Sequence, residues 1–365
     1  MKKLLILLSC LSLIVFIQSC EKDNDGNSAT TVVYDSSPYA LNTGDFRPAN
    51  IAADNQLTQQ TVQLGRMLFY EKLLSKDATM SCASCHRQEH AFSDTARFSI
   101  GVHGLAGKRQ AMAVFNMAWN ENQFFWDGRA NLLRDQALKP IQDSLEMAET
   151  LANVVSKLSA SQVYQDQFTR AFGSTEVNEL KISLALEQFM NSITAVDAKY
   201  DRYLRGEVSL TPSEERGRML YFAEYNPFFP NTSGADCAHC HGGNNFENNN
   251  YLNNGIQEAG NFSDIGREEV TGDAADRGKM KVTSLRNIEL TAPYMHDGRF
   301  NTLLEVVEHY NSGIKRSPSL DPALANTIDT GLMLDEQDKA DLVAFLKTLT
   351  DEVLLTKEEY SNPFN

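Results

Sequence analysis

The chain has 365 residues, of which 42% are hydrophobic and 22% are charged, a composition that is typical of globular proteins and excludes fibrous and disordered ones. Its 48 acidic and 33 basic residues give a formal net charge of −15. Such a charge repels phosphate backbones, which argues against a nucleic-acid partner. The length is sufficient for two domains that each bury their own core.

The first 19 residues have the pattern of a secretory signal peptide. Two lysines precede a mostly apolar run, residues 4–17, which is too short to span a membrane. The small residue before Cys20 resembles the lipobox of bacterial lipoproteins, in which the cysteine is lipidated after cleavage. We therefore predict an exported, periplasmic lipoprotein that is anchored to the membrane only by the lipid on Cys20, with residues 20–50 as a solvated tether. A plain signal peptide that is cleaved elsewhere is the alternative.

Matched sequence blocks recur in the same order in the two halves of the chain, which indicates an internal duplication. The matched pairs are Leu57-Thr58 with Leu210-Thr211, Gly65–Tyr70 with Gly217–Phe222, Cys82–His86 with Cys237–His241, and Trp126–Arg129 with His296–Arg299. We therefore predict two tandem domains, residues 51–205 and 206–365.

The local patterns are mainly helical, and alternating strand patterns are scarce. Helical spacing extends over residues 144–158, 179–193 and 334–349. A new helix is expected near Pro212, and Thr302 can cap a helix that reaches about Tyr310. The glycine- and asparagine-rich stretch 242–260 is typical of loops. The predicted fold is all-α.

Four cysteines form two pairs, and a histidine follows each pair directly. The segments are Cys82-Ala-Ser-Cys85-His86 and Cys237-Ala-His-Cys240-His241. In such a segment the two thiols form thioether bonds to haem and the histidine binds the iron. We therefore predict two haem c groups, with His86 and His241 as proximal ligands. A zinc ribbon or a thioredoxin-like redox pair is the alternative, although zinc would not require a histidine after each pair and a redox motif would require a βαβ context.

With these segments, the chain resembles the bacterial di-haem cytochrome c peroxidases and the related MauG-type enzymes over about residues 57–349. The resemblance rests on both CxxCH motifs, Ser99–Gly101, Phe125–Ala130, Gln136-Ala137, Pro140–Met147, Leu285–Asn287 and Thr291–His296. It implies two cytochrome-c-like domains with one haem each and a homodimer. It also implies reduction of hydrogen peroxide at the N-terminal haem, with electrons from a small cytochrome or another redox protein that pass through the C-terminal haem.

The resemblance further implies catalytic roles for three residues. Glu146 matches the glutamate that moves a proton between the peroxide oxygens, a transfer that heterolytic cleavage of the O–O bond requires. Gln136 matches the glutamine that positions peroxide, and Trp126 matches the tryptophan between the haems, where it can relay electrons. Without the motif context, Glu146 would be interpreted as a solvated charge at a helix end and Trp126 as a core residue.

One departure from the family pattern concerns the N-terminal haem. Many members have a histidine directly after Ser-Ile-Gly that closes the peroxide-binding haem until reduction. Here Val102 occupies that place and His103 follows it. Either His103 is the distal ligand of the N-terminal haem, or that haem is permanently open; we favour the open haem, with His103 as a loop residue.

A second departure concerns the C-terminal haem. Conventional members place an axial methionine where this chain has Tyr310, and MauG-type enzymes have tyrosine there. A phenolate favours Fe(III) and higher states, whereas a thioether raises the reduction potential. We predict Tyr310 as the distal ligand of the C-terminal haem. The alternative is that Tyr310 packs on its helix face and that a neighbouring side chain is the ligand, with Met280, Met295, Met333 and His309 as the candidates.

The family also often holds a calcium ion between its domains through an asparagine side chain and two backbone carbonyl groups. Thr291 and Pro293 match the carbonyl positions, and Gln110 replaces the asparagine. A calcium ion at these three residues is therefore a further expectation.

Three functions remain open from the sequence. The first is a di-haem peroxidase that reduces hydrogen peroxide to water with electrons from a small redox protein. The second is a MauG-like enzyme that uses the oxidising equivalents from peroxide on a protein substrate. The third is a passive di-haem electron carrier, which predicts six-coordinate iron in both domains and no role for Glu146.

Overall fold

The computed structural model describes residues 32–364, and the predicted signal peptide and the lipidation site at Cys20 lie outside them. The residues from Val33 onward form one compact unit. Within the described range, the regular sheet structure is one antiparallel pair, β1 (Tyr251–Leu252) and β2 (Met280–Lys281). The all-α prediction is therefore confirmed as a helix-rich fold with little strand. Within the same range, no helix has both the length and the apolar character that a membrane crossing requires.

Twelve α-helices are present in the described part of the chain. They are α1 (Gln59–Tyr70), α2 (Leu133–Gln142), α3 (Leu151–Ser159), α4 (Gln162–Phe172), α5 (Glu179–Ser192), α6 (Lys199–Leu204), α7 (Pro212–Phe222), α8 (Glu268–Thr271), α9 (Leu303–Glu308), α10 (Pro322–Ala325), α11 (Glu336–Lys347) and α12 (Val353–Thr356). Short 3₁₀ turns and loops connect them.

The helix pairs α1–α5 and α7–α11 form matched crossings in the two halves. A Cβ atom at Gly65 would lie 1.9 Å from the carbonyl oxygen of Ala185, and one at Gly217 would lie 1.9 Å from that of Asp341. No side chain fits in such a gap, so glycine allows the two helices of each pair to touch. Because Gly65 and Gly217 occupy matched places in the repeat, the duplication seen in the sequence is present in the packing.

Two large hydrophobic clusters form the core. The first consists mainly of buried residues from the first half of the chain, but it also contains Leu354 and Tyr360 from the C-terminal end. The second consists mainly of residues from the second half, but it also contains Tyr200. Each cluster therefore takes residues from across the predicted boundary between residues 205 and 206, and the division into two sequential domains stays a prediction.

The predicted helices at 179–193 and 334–349 are confirmed as α5 and α11, and Thr302 caps α9 as expected. The helix predicted over 144–158 is wrong in its first half, because α3 begins only at Leu151. Residues 143–148 form a turn in which the carbonyl oxygen of Asp143 accepts hydrogen bonds from the backbone N–H groups of Glu146 and Ala148. This local bonding competes with a helical continuation of α2.

Candidate active site

The first CxxCH segment lies at the edge of a large cavity. Its cysteines are free thiols, and the turn Cys82–Ser84 is a single 3₁₀ turn. His86 Nδ1 lies 3.0 Å from the carbonyl oxygen of Phe92, so Nε2 is the ring atom that is left for iron. Burial lowers the pKa of His86, which keeps its imidazole neutral, as a metal ligand must be. The cavity beside it, the first cavity below, has a volume of about 1100 Å³.

The second CxxCH segment has the same local structure beside a second cavity of about 750 Å³. His241 Nδ1 lies 3.2 Å from the carbonyl oxygen of Phe246 and 3.1 Å from that of Thr283. Burial lowers the pKa of His241 to about 4, so this imidazole is also neutral. Cys237 and Cys240 are free thiols that line the cavity.

The chemistry of these two places fits haem c. Each place combines two free thiols, a neutral histidine with Nε2 available, and a cavity whose volume is at or above the middle of the range for bound cofactors. Cys85 lines the first cavity, whereas Cys237 and Cys240 line the second. Across residues 32–364 no cluster of three or more His, Cys, Asp or Glu side chains could hold a metal ion. This separation is unfavourable for the alternative of one four-cysteine zinc site.

Glu146 and Gln136 both line the first cavity, together with His86. Gln136 is on α2, and Glu146 is on the turn that follows it. Burial raises the pKa of Glu146 to about 7; the nearby charge of Asp143 raises the pKa further, and that of Arg129 opposes the rise. A carboxyl group with a pKa near neutrality can both accept and donate a proton, which is the property that a proton shuttle needs.

Trp126 lies in the wall that the two cavities share. Its Nε1–H donates a hydrogen bond to the carbonyl oxygen of Gln110 at 2.8 Å, which fixes the indole. Its ring meets the ring of His296 edge to face, with 6.4 Å between the centroids. Trp126 thus occupies a position between the two cavities, as an electron relay would require.

The sequence reasoning did not single out two residues of this wall, His296 and Lys281, which line both cavities. His296 is 4% exposed. The backbone N–H of Lys281 donates to the carbonyl oxygen of Trp126 at 2.7 Å, and burial lowers the pKa of its side chain to about 8. The internal repeat could have indicated that His296 is important, because His296 aligns with Trp126 in the matched blocks. Lys281 has no comparable signal in the sequence.

The loop that bears Val102 and His103 packs beside Glu146 without bringing His103 into the cavity. The backbone N–H of Val102 donates to the carbonyl oxygen of Glu146 at 2.9 Å. His103 is exposed in the turn that follows and is absent from the lining of the first cavity. This placement favours the alternative in which His103 is a loop residue.

Tyr310 lines the second cavity, as do Met280 and Met295. It lies in a single π-helical turn, His309–Gly313, that follows α9, and burial raises its pKa to about 12. The side-chain amide of Asn254 donates to Tyr310 Oη at 3.4 Å and to Met295 Sδ at 3.3 Å.

The other two candidates for the distal ligand are placed differently. His309 Nε2 is engaged with the carbonyl oxygen of Asn254 at 3.0 Å. Met333 is exposed and is not part of the cavity lining. Tyr310, Met280 and Met295 are therefore the candidates that the cavity retains.

The three residues expected at a calcium site all lie around the second cavity. Gln110, Thr291 and Pro293 all line the second cavity, and Gln110 lines the first as well. The Gln110 amide nitrogen donates to Ser93 Oγ at 3.1 Å, which leaves the amide oxygen as the atom that could face a cation. Calcium at this place stays a prediction.

Comparison with known proteins decides the family. The model of the family described as di-haem cytochrome c peroxidase matches residues 59–209. The cytochrome c551 peroxidase of Nitrosomonas europaea is 34% identical over 293 residues, which are 80% of this chain and 80% of that protein. This chain belongs to the di-haem cytochrome c peroxidase family.

Relatives in this family include both peroxidases and MauG proteins. The methylamine utilization protein MauG of Methylophilus methylotrophus is 31% identical over 311 residues, covering 83% of this chain and 87% of that protein. The crystal structure of a MauG-like protein associated with microbial copper homeostasis is 34% identical, with a TM-score of 0.79 over 90% of this chain and 100% of that one.

Membership of the di-haem cytochrome c peroxidase family makes this chain an oxidoreductase of the peroxidase type. The family implies two haem c groups, peroxide as the substrate and a redox protein as the electron donor.

Proposed function

We propose that this protein reduces hydrogen peroxide to water in the first cavity, with electrons from a small cytochrome or another redox protein that enter through the haem at His241. The observation that supports this most strongly is the Glu146 carboxyl group, which lines the same cavity as His86 and has a pKa of about 7. An electron carrier has no use for an acid–base group over its iron, whereas peroxide cleavage depends on one.

The haem that Cys82, Cys85 and His86 would hold supplies the iron that binds peroxide and the electrons that reduce it. The chain supplies the proton transfer. Glu146 takes the proton from one oxygen of the bound peroxide and delivers it to the other, so that the leaving oxygen departs as water rather than as hydroxide. Gln136, on the same cavity wall, donates a hydrogen bond from its amide and orients peroxide for this transfer.

The second cavity and the shared wall would supply the path for electrons. Cys237, Cys240 and His241 would hold the second haem, and Trp126 between the cavities would relay electrons from one to the other. The hydrogen bond from Trp126 to Gln110 and the contact with His296 hold the indole in one orientation, and a fixed relay requires little rearrangement during transfer.

The test is the replacement Glu146→Gln in the haem-loaded protein. The measurement is the steady-state oxidation of a reduced small cytochrome c by hydrogen peroxide. We expect turnover to fall by about 10²- to 10⁴-fold, the usual contribution of a general acid–base group. Glu269→Gln is the matched control, because Glu269 lines another wall of the same cavity and is exposed, and it should stay within about twofold of the parent. Unchanged turnover in Glu146→Gln would contradict the proposal and would favour the passive carrier.

A MauG-like oxidation of a protein substrate is the second candidate, and Tyr310 in the lining of the second cavity favours it. A tyrosine ligand would make the haem at His241 a poor electron acceptor and a better store of oxidising equivalents. The same assay separates the two functions. Consumption of peroxide without oxidation of the cytochrome would favour the second candidate.

We also propose that the protein works in the periplasm as a lipoprotein attached through Cys20. The support is the signal pattern of residues 1–20. A homodimer is the further expectation from the family resemblance.

A further inference from the structure

Two phenylalanines occupy equivalent positions behind the predicted proximal ligands. The carbonyl oxygen of Phe92 lies 3.0 Å from His86 Nδ1, and that of Phe246 lies 3.2 Å from His241 Nδ1. Both residues have left-handed backbones, with φ of +57° at Phe92 and +53° at Phe246. Bulky residues adopt this conformation only where their surroundings enforce it. Something must therefore hold each phenylalanine in place.

A tyrosine covers each phenylalanine ring in an edge-to-face contact. Tyr360 lies against Phe92 with 6.4 Å between the centroids and an interplanar angle of 74°. Tyr200 lies against Phe246 with 5.8 Å and 66°. Tyr360 follows α11 of the second half, and Tyr200 follows α5 of the first half. Each half therefore sends the segment after its last long helix across to the proximal loop of the other half.

The C-terminal segment that carries Tyr360, residues 354–360, is hydrogen-bonded to the first half. Tyr360 is 1% exposed, and its hydroxyl group donates to the carbonyl oxygen of Ser192 at 2.9 Å. Gln88, two residues after His86, donates from its amide to the carbonyl oxygens of Leu354 and Lys357, each at 2.9 Å. The loop that runs from His86 to Phe92 is thus bonded to the C-terminal segment at one end and covered by it at the other.

The Tyr200 segment is tied to the second half in a corresponding way. The backbone N–H of Tyr200 donates to the carbonyl oxygen of Thr348 at 2.9 Å, just beyond α11. The next residue, Asp201, forms a two-point ion pair with Arg286 at 2.7 and 2.8 Å. Arg286 also donates to the carbonyl oxygen of Asn244, in the loop between His241 and Phe246. The same device therefore occurs twice.

We propose that Tyr200 and Tyr360 are positioning residues in a reciprocal clamp, each fixing the proximal histidine of the haem held by the other half. The clamp rests on the proposed function only in that both cavities hold haem. The hydrogen bond from Nδ1–H to the carbonyl group sets the orientation and the donor strength of the imidazole. Loss of a clamping ring lets the phenylalanine backbone relax from its left-handed conformation and weakens that bond. A weaker imidazole donor stabilises Fe(III) less, which raises the reduction potential of that haem.

The experiment compares Tyr360→Leu and Tyr200→Leu in the haem-loaded, full-length protein by a redox titration that is followed optically and by electron paramagnetic resonance. Glu146→Gln assigns the signals, because its charge change lies in the first cavity and shifts the potential of the haem at His86. Tyr360→Leu should raise the potential of the haem at His86 and leave the other unchanged. Tyr200→Leu should raise the potential of the haem at His241 by a smaller amount, because His241 Nδ1 keeps the carbonyl oxygen of Thr283 at 3.1 Å as a second acceptor, and it should leave the first haem unchanged.

Tyr360→Phe and Tyr200→Phe are the matched variants that keep the rings. Tyr360→Phe loses only the hydroxyl contacts, so it should shift the same haem by less than Tyr360→Leu does. Tyr200→Phe should shift neither haem measurably, because no hydroxyl contact of Tyr200 holds the Phe246 loop. If Tyr360→Leu does not fold, Tyr360→Phe provides the test for the haem at His86. If Tyr200→Leu does not fold, Tyr200→Met, which removes the ring but keeps a flexible apolar side chain, provides the test for the haem at His241.

A lower melting temperature with both potentials unchanged would overturn the clamp and leave the tyrosines as ordinary core residues. A shift confined to the haem of the same half as the substituted residue, or equal shifts of both haems, would also overturn it. Peroxide turnover plays no part in this measurement. A failure of the proposed peroxide chemistry would therefore appear in the Glu146→Gln assay and not here.

Discussion

The acid–base behaviour of Glu146 depends on its burial and on two charged neighbours, Asp143 and Arg129. The turn after α2 directs its carboxyl group to the first cavity, where burial disfavours the charged form and raises its pKa to about 7. Asp143 adds a repulsive negative charge, and Arg129 an attractive positive one. The pH dependence of peroxide turnover should therefore contain a limb near pH 7, with activity rising as the carboxylate form appears.

The Asp143→Asn variant tests this balance. Removal of the negative charge makes ionisation of Glu146 easier, so the pKa falls and the rising limb of the pH profile should move to lower pH. The introduced amide keeps an oxygen for the bond from the Leu145 N–H, which limits structural change. Arg129→Met, which removes the attractive charge, should move the limb to higher pH. A profile that is unmoved in both variants, or that moves in the opposite directions, would contradict the assignment of the limb to Glu146.

At this scale the sequence supplied the identity of the residues but not their surroundings. The motif around Glu146 predicted a catalytic carboxyl group at the first haem, yet the helix expected at 144–158 would have put Glu146 on a helix face rather than in a turn. The competing signal was Asp143, a residue type that bonds its own neighbourhood and ends helices. The pKa depends on burial by residues that are distant in sequence, so no local pattern could have predicted it.

At the scale of elements, the two matched helix crossings are the features that position both proximal loops. The crossing of α1 and α5 places the backbones so close that a Cβ at Gly65 would lie 1.9 Å from the carbonyl oxygen of Ala185. The obstacle is backbone and cannot turn away as a side chain could. The helices must therefore separate if any other residue replaces the glycine.

The variant Gly65→Ala should lower the free energy of unfolding by about 1–3 kcal/mol, the usual cost of an overpacked contact. The measurement is equilibrium unfolding in denaturant. Gly107→Ala is the matched control, because its Cβ would meet only the carbonyl oxygen of Ser99 at 3.6 Å, and its stability should stay within about 0.5 kcal/mol of the parent. Equal stabilities for the two variants would show that the helix crossing tolerates a side chain.

The sequence predicted α5 and α11 because their apolar residues recur with helical spacing, and it predicted that a new helix, α7, begins near Pro212. It could not predict that Tyr200 of the first half packs against the second half, or that Tyr360 of the second half packs against the first. A repeat shows which segments are alike, but it does not show whether a segment packs on its own half or on the other. The prediction of two domains divided at residue 205 therefore assumed that each segment packs on its own half of the chain.

For the whole molecule, the decisive feature is the wall that the two cavities share. The duplication places Trp126 and His296 at the same point of the repeat, and the structure brings them into contact in this wall. The electron relay that we propose for Trp126 would thus lie where the two copies meet. The matched blocks could have indicated that both residues are important, but only the packing shows that they touch.

The central claim is that peroxide reacts in the first cavity, which His103 does not close. The most direct test is the addition of stoichiometric hydrogen peroxide to the fully oxidised, haem-loaded protein without a donor, followed by rapid-mixing absorption spectroscopy from the visible to the near infrared. Because His103 is exposed and outside the cavity lining, we predict an immediate spectral change that is slowed strongly in Glu146→Gln. An absence of reaction until one haem has been reduced would contradict the account, and it would mean that a ligand from the chain closes the site in the oxidised protein.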